Sequence, residues 1–145
     1  MKLEWKGYYF IVTSGKLVRR LGRFISLGDN AMGITFYPFL LVREDTRTHE
    51  ELIRHETIHI KQQVELLIIG AWLLYLYEYL YAKYGKKLDT RQAYYYTALE
   101  QEAHRNAMNV EYLNTRKPYA VLKYIRDKKI LSRGPNDELI MKDYV

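Results

Sequence analysis

The rhythm of apolar and polar positions changes about a third of the way along the chain. Up to residue 45 the apolar runs are short, aromatic or β-branched, and separated by turn residues. Tyr8 to Thr13 (YYFIVT) has strand composition, and Ser14-Gly15 after it is a turn signal. Leu17, Leu21 and Ile25 have helical spacing, but Gly22 and Gly28 weaken it, so residues 17–27 stay ambiguous. Gly28-Asp29-Asn30 predicts a turn. Ile34 to Val42 (ITFYPFLLV) reads as a strand, and Pro38 inside it assigns it to a sheet edge, because proline has no N–H for the ladder.

From residue 46 the period is helical. Thr46 or Thr48 is placed to cap a helix running to about Ile69, with acidic residues in its first turn to suit the helix dipole. Ala71 to Tyr84 predicts a second helix, ended by Tyr84-Gly85-Lys86. Asp89 or Thr90 caps a third, through about Asn114. Pro118, shortly after Thr115, opens a fourth that ends near Lys128. The expected fold is therefore α+β in one domain, residues 1–145. Residues 1–45 supply a small N-terminal antiparallel sheet with turns, 46–130 three to four helices, and 131–145 an irregular tail.

Residues 66–82 (LLIIGAWLLYLYEYLYA) raise the question of a membrane span. The stretch is 17 residues long and contains Glu78, whereas a span needs about 20 mostly apolar residues. One straight helix from residue 50 to 83 would put its far end about 36 Å beyond His59, and a helix returning from Asp89 would bring Glu100 back only about 17 Å. The two side chains can meet only if the chain breaks between them, and Gly70 is the weakest helix former there. The favoured reading is a buried or interfacial aromatic helix, with a single span through 66–82 as the alternative. The tyrosines and Lys83, Lys86 and Lys87 suit a headgroup boundary.

Composition narrows the chemistry. The chain carries 48% hydrophobic residues, 15 tyrosines and a net charge of +6. It has no cysteine, so disulfides and thiolate metal ligands are excluded and any metal must rest on His, Asp and Glu. The basic residues are dispersed and show no aromatic–basic groove pattern, which argues against nucleic acid as the partner. MKLEWKGYYF lacks the long apolar run and cleavage site of a secretory signal, so the expected location is cytoplasmic or peripheral to a membrane.

The chemistry concentrates in RHETIHIKQQ, residues 54–63. On a helix, His55 and His59 at i and i+4 point the same way and can offer two imidazole nitrogens to one ion. Glu56 on the adjacent edge can act on water as a base without being a ligand. A catalytic zinc takes three protein ligands and leaves one position open. ALEQEAHRNA, residues 98–107, offers Glu100 and Glu102 as the third, and those two cannot share a helix face.

HExxH followed by a downstream helix with a glutamate resembles the gluzincin-type zinc metallopeptidases. The resemblance implies one Zn2+ held by His55, His59 and Glu100 (Glu102 as fallback), Glu56 as general base, and a peptide or protein substrate. His104 stands where that family's downstream helix, roughly E-x-E-A-D, often has an aspartate supporting the histidines; it is a candidate to support a ligand, to bind the ion itself or to help a developing oxyanion. The layout of residues 33–126 also resembles a group of small bacterial HExxH proteins.

Two further candidates follow from spacing. Tyr96 lies four before Glu100 and could steady an oxyanion, and Gln63 lies four after His59. The competing expectation is a structural or interaction protein that docks its aromatic apolar helix on a membrane surface or larger protein assembly, with any metal only a staple.

Overall fold

The computed structural model describes residues 1–24, 32–44, 49–136 and 138–144. The turn expected at Gly28-Asp29-Asn30 and the caps expected at Thr46 or Thr48 lie outside these residues.

The fold is α+β. Four strands, β1 (Lys2–Trp5), β2 (Phe10–Thr13), β3 (Gly33–Phe36) and β4 (Phe39–Val42), form a sheet in the order β1-β2-β4-β3. The β1–β2 and β3–β4 pairs are antiparallel as expected, whereas β2 and β4 run parallel. A parallel pair needs a crossover, and the chain between β2 and β3, which contains helix α1 (Gly15–Phe24), supplies it. Period-two alternation sends Ile11, Leu40 and Val42 to one face against Ile60 of helix α2 (His49–Glu65). Val12 and Leu41 go to the other face, against Val18 of α1.

The single strand expected over Ile34–Val42 is instead a hairpin. Phe36 pairs with Phe39, and Tyr37-Pro38 forms the turn between them. Pro38 escapes the ladder there and its carbonyl accepts the Phe10 N–H at 2.8 Å. Only the first half, β3, lies at the edge.

The break that the third-ligand argument requires is present, but at Leu66–Ile68 rather than Gly70. Ile68 N–H donates to the Gln63 carbonyl (2.6 Å) and Leu67 N–H to that of Val64 (3.3 Å), the pairing of a Schellman cap. Leu67 takes the left-handed position (φ 56°) that glycine usually fills, and Ile68 follows with φ 61°. Gly70 falls in the first turn of α3 (Ile69–Leu80), which a π-helical turn extends over Tyr81–Gly85. The segments Glu50–Glu65 and Ile69–Gly85 are bent by 111°, and among the described residues no single helix is long and apolar enough to cross a membrane.

The third expected helix is two: α4 (Thr90–Tyr96) and α5 (Ala98–Asn106), broken where Thr97 is extended (ψ 143°). Asp89 caps α4 as expected, accepting the Gln92 N–H at 2.8 Å. The new N-terminus of α5 is served from outside, by the buried Glu78 carboxylate accepting the Ala98 N–H at 2.6 Å. A separate short helix, α6 (Tyr112–Thr115), stands where the third helix was expected to end, and a 3-10 turn at Ala120–Leu122 with α7 (Lys123–Arg126) replaces the expected fourth. The expected irregular tail is corrected as well: β5 (Lys129–Arg133) and β6 (Leu139–Asp143) form a hairpin. Gln101 of α5 holds β5 in place, accepting the Lys129 N–H (3.0 Å) and donating to its carbonyl (2.7 Å).

Candidate metal centre

Two helices converge. α2 presents His55 and His59, one turn apart, and α5 presents Glu100 and His104, also one turn apart. His55 Nε2 lies 3.1 Å from His59 Nε2. Glu100 Oε1 is 3.2 Å from His59 Nε2, and its Oε2 is 3.4 Å from His55 Nε2 and 3.3 Å from His104 Nε2. All four side chains are mostly buried.

This donor set fits a divalent ion. Tetrahedral zinc with bonds of about 2.0–2.1 Å separates its donors by about 3.3 Å, and the four distances above bracket that value. His55, Glu100 and His104 each offer one donor atom within 4.8 Å of the others and could hold a metal ion; His59 Nε2 borders the same space. His104 adds a second sign. Among the described residues neither of its buried ring nitrogens has a hydrogen-bond partner, so its approach to Glu100 is one of distance alone. A buried polar atom left unpaired is costly, and a metal ligand bond is one way to satisfy it.

Burial alone would push the Glu100 carboxyl up, but the charge on His59 and the close approach of the three histidines hold it well below the usual carboxylate range. Burial likewise lowers His59, yet the Glu100 charge reverses this and pushes it up to about 9. His55 is lowered by burial and by His104. Without an ion, therefore, His59 and Glu100 form a buried ion pair.

Glu56, also on α2, lines the same cleft and packs against β3. Thr35 Oγ1 donates to Glu56 Oε2 at 2.5 Å. A Cβ on Gly33 would sit 2.5 Å from Glu56 Oε1, so glycine is needed for β3 to pass this close. Trp72 and Tyr75 of α3, with Leu99, form the apolar wall opposite, and the cleft encloses about 230 Å³.

Three sequence candidates take other roles. Glu102 does not reach the ring nitrogens. It is fully buried on the far side of α5, accepting from Arg116 Nε (2.5 Å), Tyr112 Oη (3.0 Å) and Gln62 Nε2 (2.9 Å). Tyr96 is not at the site, because the kink at Thr97 cancels its i,i+4 relation to Glu100; its ring lies 5.7 Å from that of Tyr144. Tyr94 takes the place instead, its hydroxyl donating to Glu100 Oε2 at 2.7 Å. Burial and then the Glu100 charge raise Tyr94 well above the ordinary tyrosine value, so it stays a donor. Gln63 touches neither histidine; it accepts the Tyr37 N–H (2.8 Å) and donates to the Thr35 carbonyl (3.0 Å), clamping α2 to β3.

Gln62 supports the histidines. His59 Nδ1 donates to Gln62 Oε1 at 2.7 Å, which leaves Nε2 free to ligate. Gln62 passes the link to Glu102, and Arg116 ties Glu102 to Glu65. Gln62 follows His59 by three, a helical spacing visible in the sequence; Arg116, more than fifty residues away, has no such signal. No family model matches the chain, and neither a curated protein nor a solved structure does.

Proposed function

We propose that the protein is a zinc-dependent metallopeptidase of the gluzincin type, with His55, His59 and Glu100 as ligands and Glu56 as base. The observation that carries this reading is the meeting of three donors from two remote helices at bonding separations, with a carboxylate that is not a ligand in the same cleft. A histidine and carboxylate set without thiolates suits zinc. Bound there, zinc would polarise a carbonyl and lower the pKa of water.

The chain's own residues supply the rest. Glu56, aimed by Thr35 and Gly33, takes the proton of the attacking water and returns it to the departing amine. Tyr94, whose hydroxyl proton goes to Glu100 Oε2, holds that ligand in place. Gln63 stiffens β3 against α2, so the strand edge beside Glu56 is a firm rail for an extended peptide. Trp72, Tyr75 and Leu99 favour an apolar or aromatic side chain beside the cut.

His104 favours a second reading. As a fourth protein ligand it would close the shell, and closed four-ligand sites are structural. One experiment separates the two: zinc content and peptide hydrolysis, measured for the parent and for Glu56→Gln. The enzyme reading expects one zinc in both proteins and a rate about 10²–10⁴-fold lower in the variant. Turnover unaffected by the variant, or no zinc in either protein, refutes it. A zinc-loaded parent with no turnover, unfolding when the ion is chelated, establishes the staple instead.

A further inference from the structure

Helix α3 is turned inside out relative to an ordinary surface helix. Its one charged residue, Glu78, is buried, held by Lys128 Nζ at 2.5 Å and by the start of α5. Its outward face is apolar throughout: Ile69, Leu73, Leu76, Tyr77, Leu80 and then Tyr84 recur at helical spacing and are all exposed, Ile69 and Tyr77 by 71% and 70%. Monomeric proteins in water rarely expose a contiguous apolar stripe of this kind.

The stripe has a direction. Leucine and isoleucine dominate its first half. Tyrosines and lysines take over toward Gly85, where Lys83 Nζ lies 5.9 Å above the Tyr84 ring and Lys86 and Lys87 follow, both exposed. An exposed apolar face with amphipathic rings and cations at one end suits a helix lying flat at the boundary between acyl chains and anionic headgroups. A second copy of the chain matches less well: it would bury those tyrosine hydroxyls and bring two +6 chains together.

We propose that the outer face of α3 lies in the interfacial layer of a membrane containing anionic lipid. The helix lies along the surface and does not cross it, because Ala71, Glu78 and Ala82 on its other side are buried in the protein. Trp72 lines the cleft and is 44% exposed, and its ring is 6.2 Å from that of Phe36 at the β3–β4 hairpin. The mouth of the cleft therefore opens at headgroup level. Given the peptidase reading, on which this clause alone rests, the substrate is a segment of a membrane-attached protein near the bilayer surface.

The test is co-sedimentation of the full metal-loaded chain with vesicles of phosphatidylcholine mixed with phosphatidylglycerol, against phosphatidylcholine alone. Binding to the mixed vesicles that weakens with salt is expected. Leu73→Glu combined with Leu76→Glu lowers partitioning by more than about tenfold, while circular dichroism and metal content stay those of the parent. Lys86→Ala and Lys87→Ala each lower it by about fivefold. In a Trp5→Phe background, Trp72 emission shifts to the blue on the mixed vesicles. Failure to bind either vesicle, binding that ignores the Leu73 and Leu76 changes, or lipid-independent self-association through this face overturns the proposal. None of these readouts depends on hydrolysis, so the surface and the peptidase reading fail separately.

Discussion

Glu100 and Glu102 sit two residues apart on α5, both buried, and face opposite partners. Glu102 has a permanent cation, Arg116, whose side chain is itself 2% exposed and which also binds Glu65. Glu100 has three imidazoles and a tyrosine hydroxyl, and among the described residues no lysine or arginine forms an ion pair with it. Buried carboxylates require compensation. On one side of the helix the fold builds it in. On the other, only a borrowed proton on His59 supplies it, so that side is the one prepared for an exchangeable cation. The link between the sides is Gln62, which donates to Glu102 and accepts from His59.

The largest expected effect breaks the built-in side. Arg116→Met leaves Glu102 buried without its cation and lowers the unfolding free energy by about 3–5 kcal/mol, read from urea denaturation. Next comes the other side. Glu100→Gln lowers metal affinity by more than about a hundredfold in competition with a chelator, whereas Glu102→Gln retains the ion at a cost in stability. Equal loss of metal in both variants would erase the distinction between the two carboxylates.

A smaller effect follows from the proton on His59. Its metal-free value is raised to about 9, above the ordinary 6.5 or so, and it must be neutral to ligate. Metal uptake at neutral pH therefore releases a proton from His59, and affinity rises by about tenfold per pH unit up to roughly pH 9. Calorimetry in buffers of different ionisation enthalpy counts that proton. The smallest effect concerns the bend that lets α5 meet α2. Leu67→Gly relieves a left-handed leucine that is 82% exposed and stabilises the protein by about 0.5–1 kcal/mol, with metal affinity unchanged. A loss of stability there would mean that the Leu67 side chain matters more than its backbone.

Much of this was legible because it is local. His55, Glu56 and His59 need only a helix, and the spacing of RHETIHIKQQ states one. Aromatic and β-branched composition marked Tyr8 to Thr13 and Ile34 to Val42 as strand. Chemistry offered Glu100 and Glu102 alike as acids from a later helix, and only the family resemblance preferred Glu100. The misreadings arose where a neighbour overrode a local pattern. Spacing aligns Tyr96 with Glu100 because nothing near Thr97 in the sequence shows that Glu78, twenty residues earlier, caps a new helix at Ala98. The tail, residues 131–145, looked irregular because the support that Gln101 gives β5 comes from the middle of the chain.

The sequence by itself determined the donor types, their i,i+4 spacing and the need for a break before the return helix, because periodicity and side-chain chemistry are properties of short segments. Tertiary structure alone decided that Glu100 and not Glu102 meets the histidines, that Tyr94 replaces Tyr96, that His104 is left with two buried unpaired nitrogens, and that α3 turns its apolar side outward. The reason is the same in each case. Which face a helix turns inward depends on where its neighbours pack, and those neighbours lie tens of residues away along the chain.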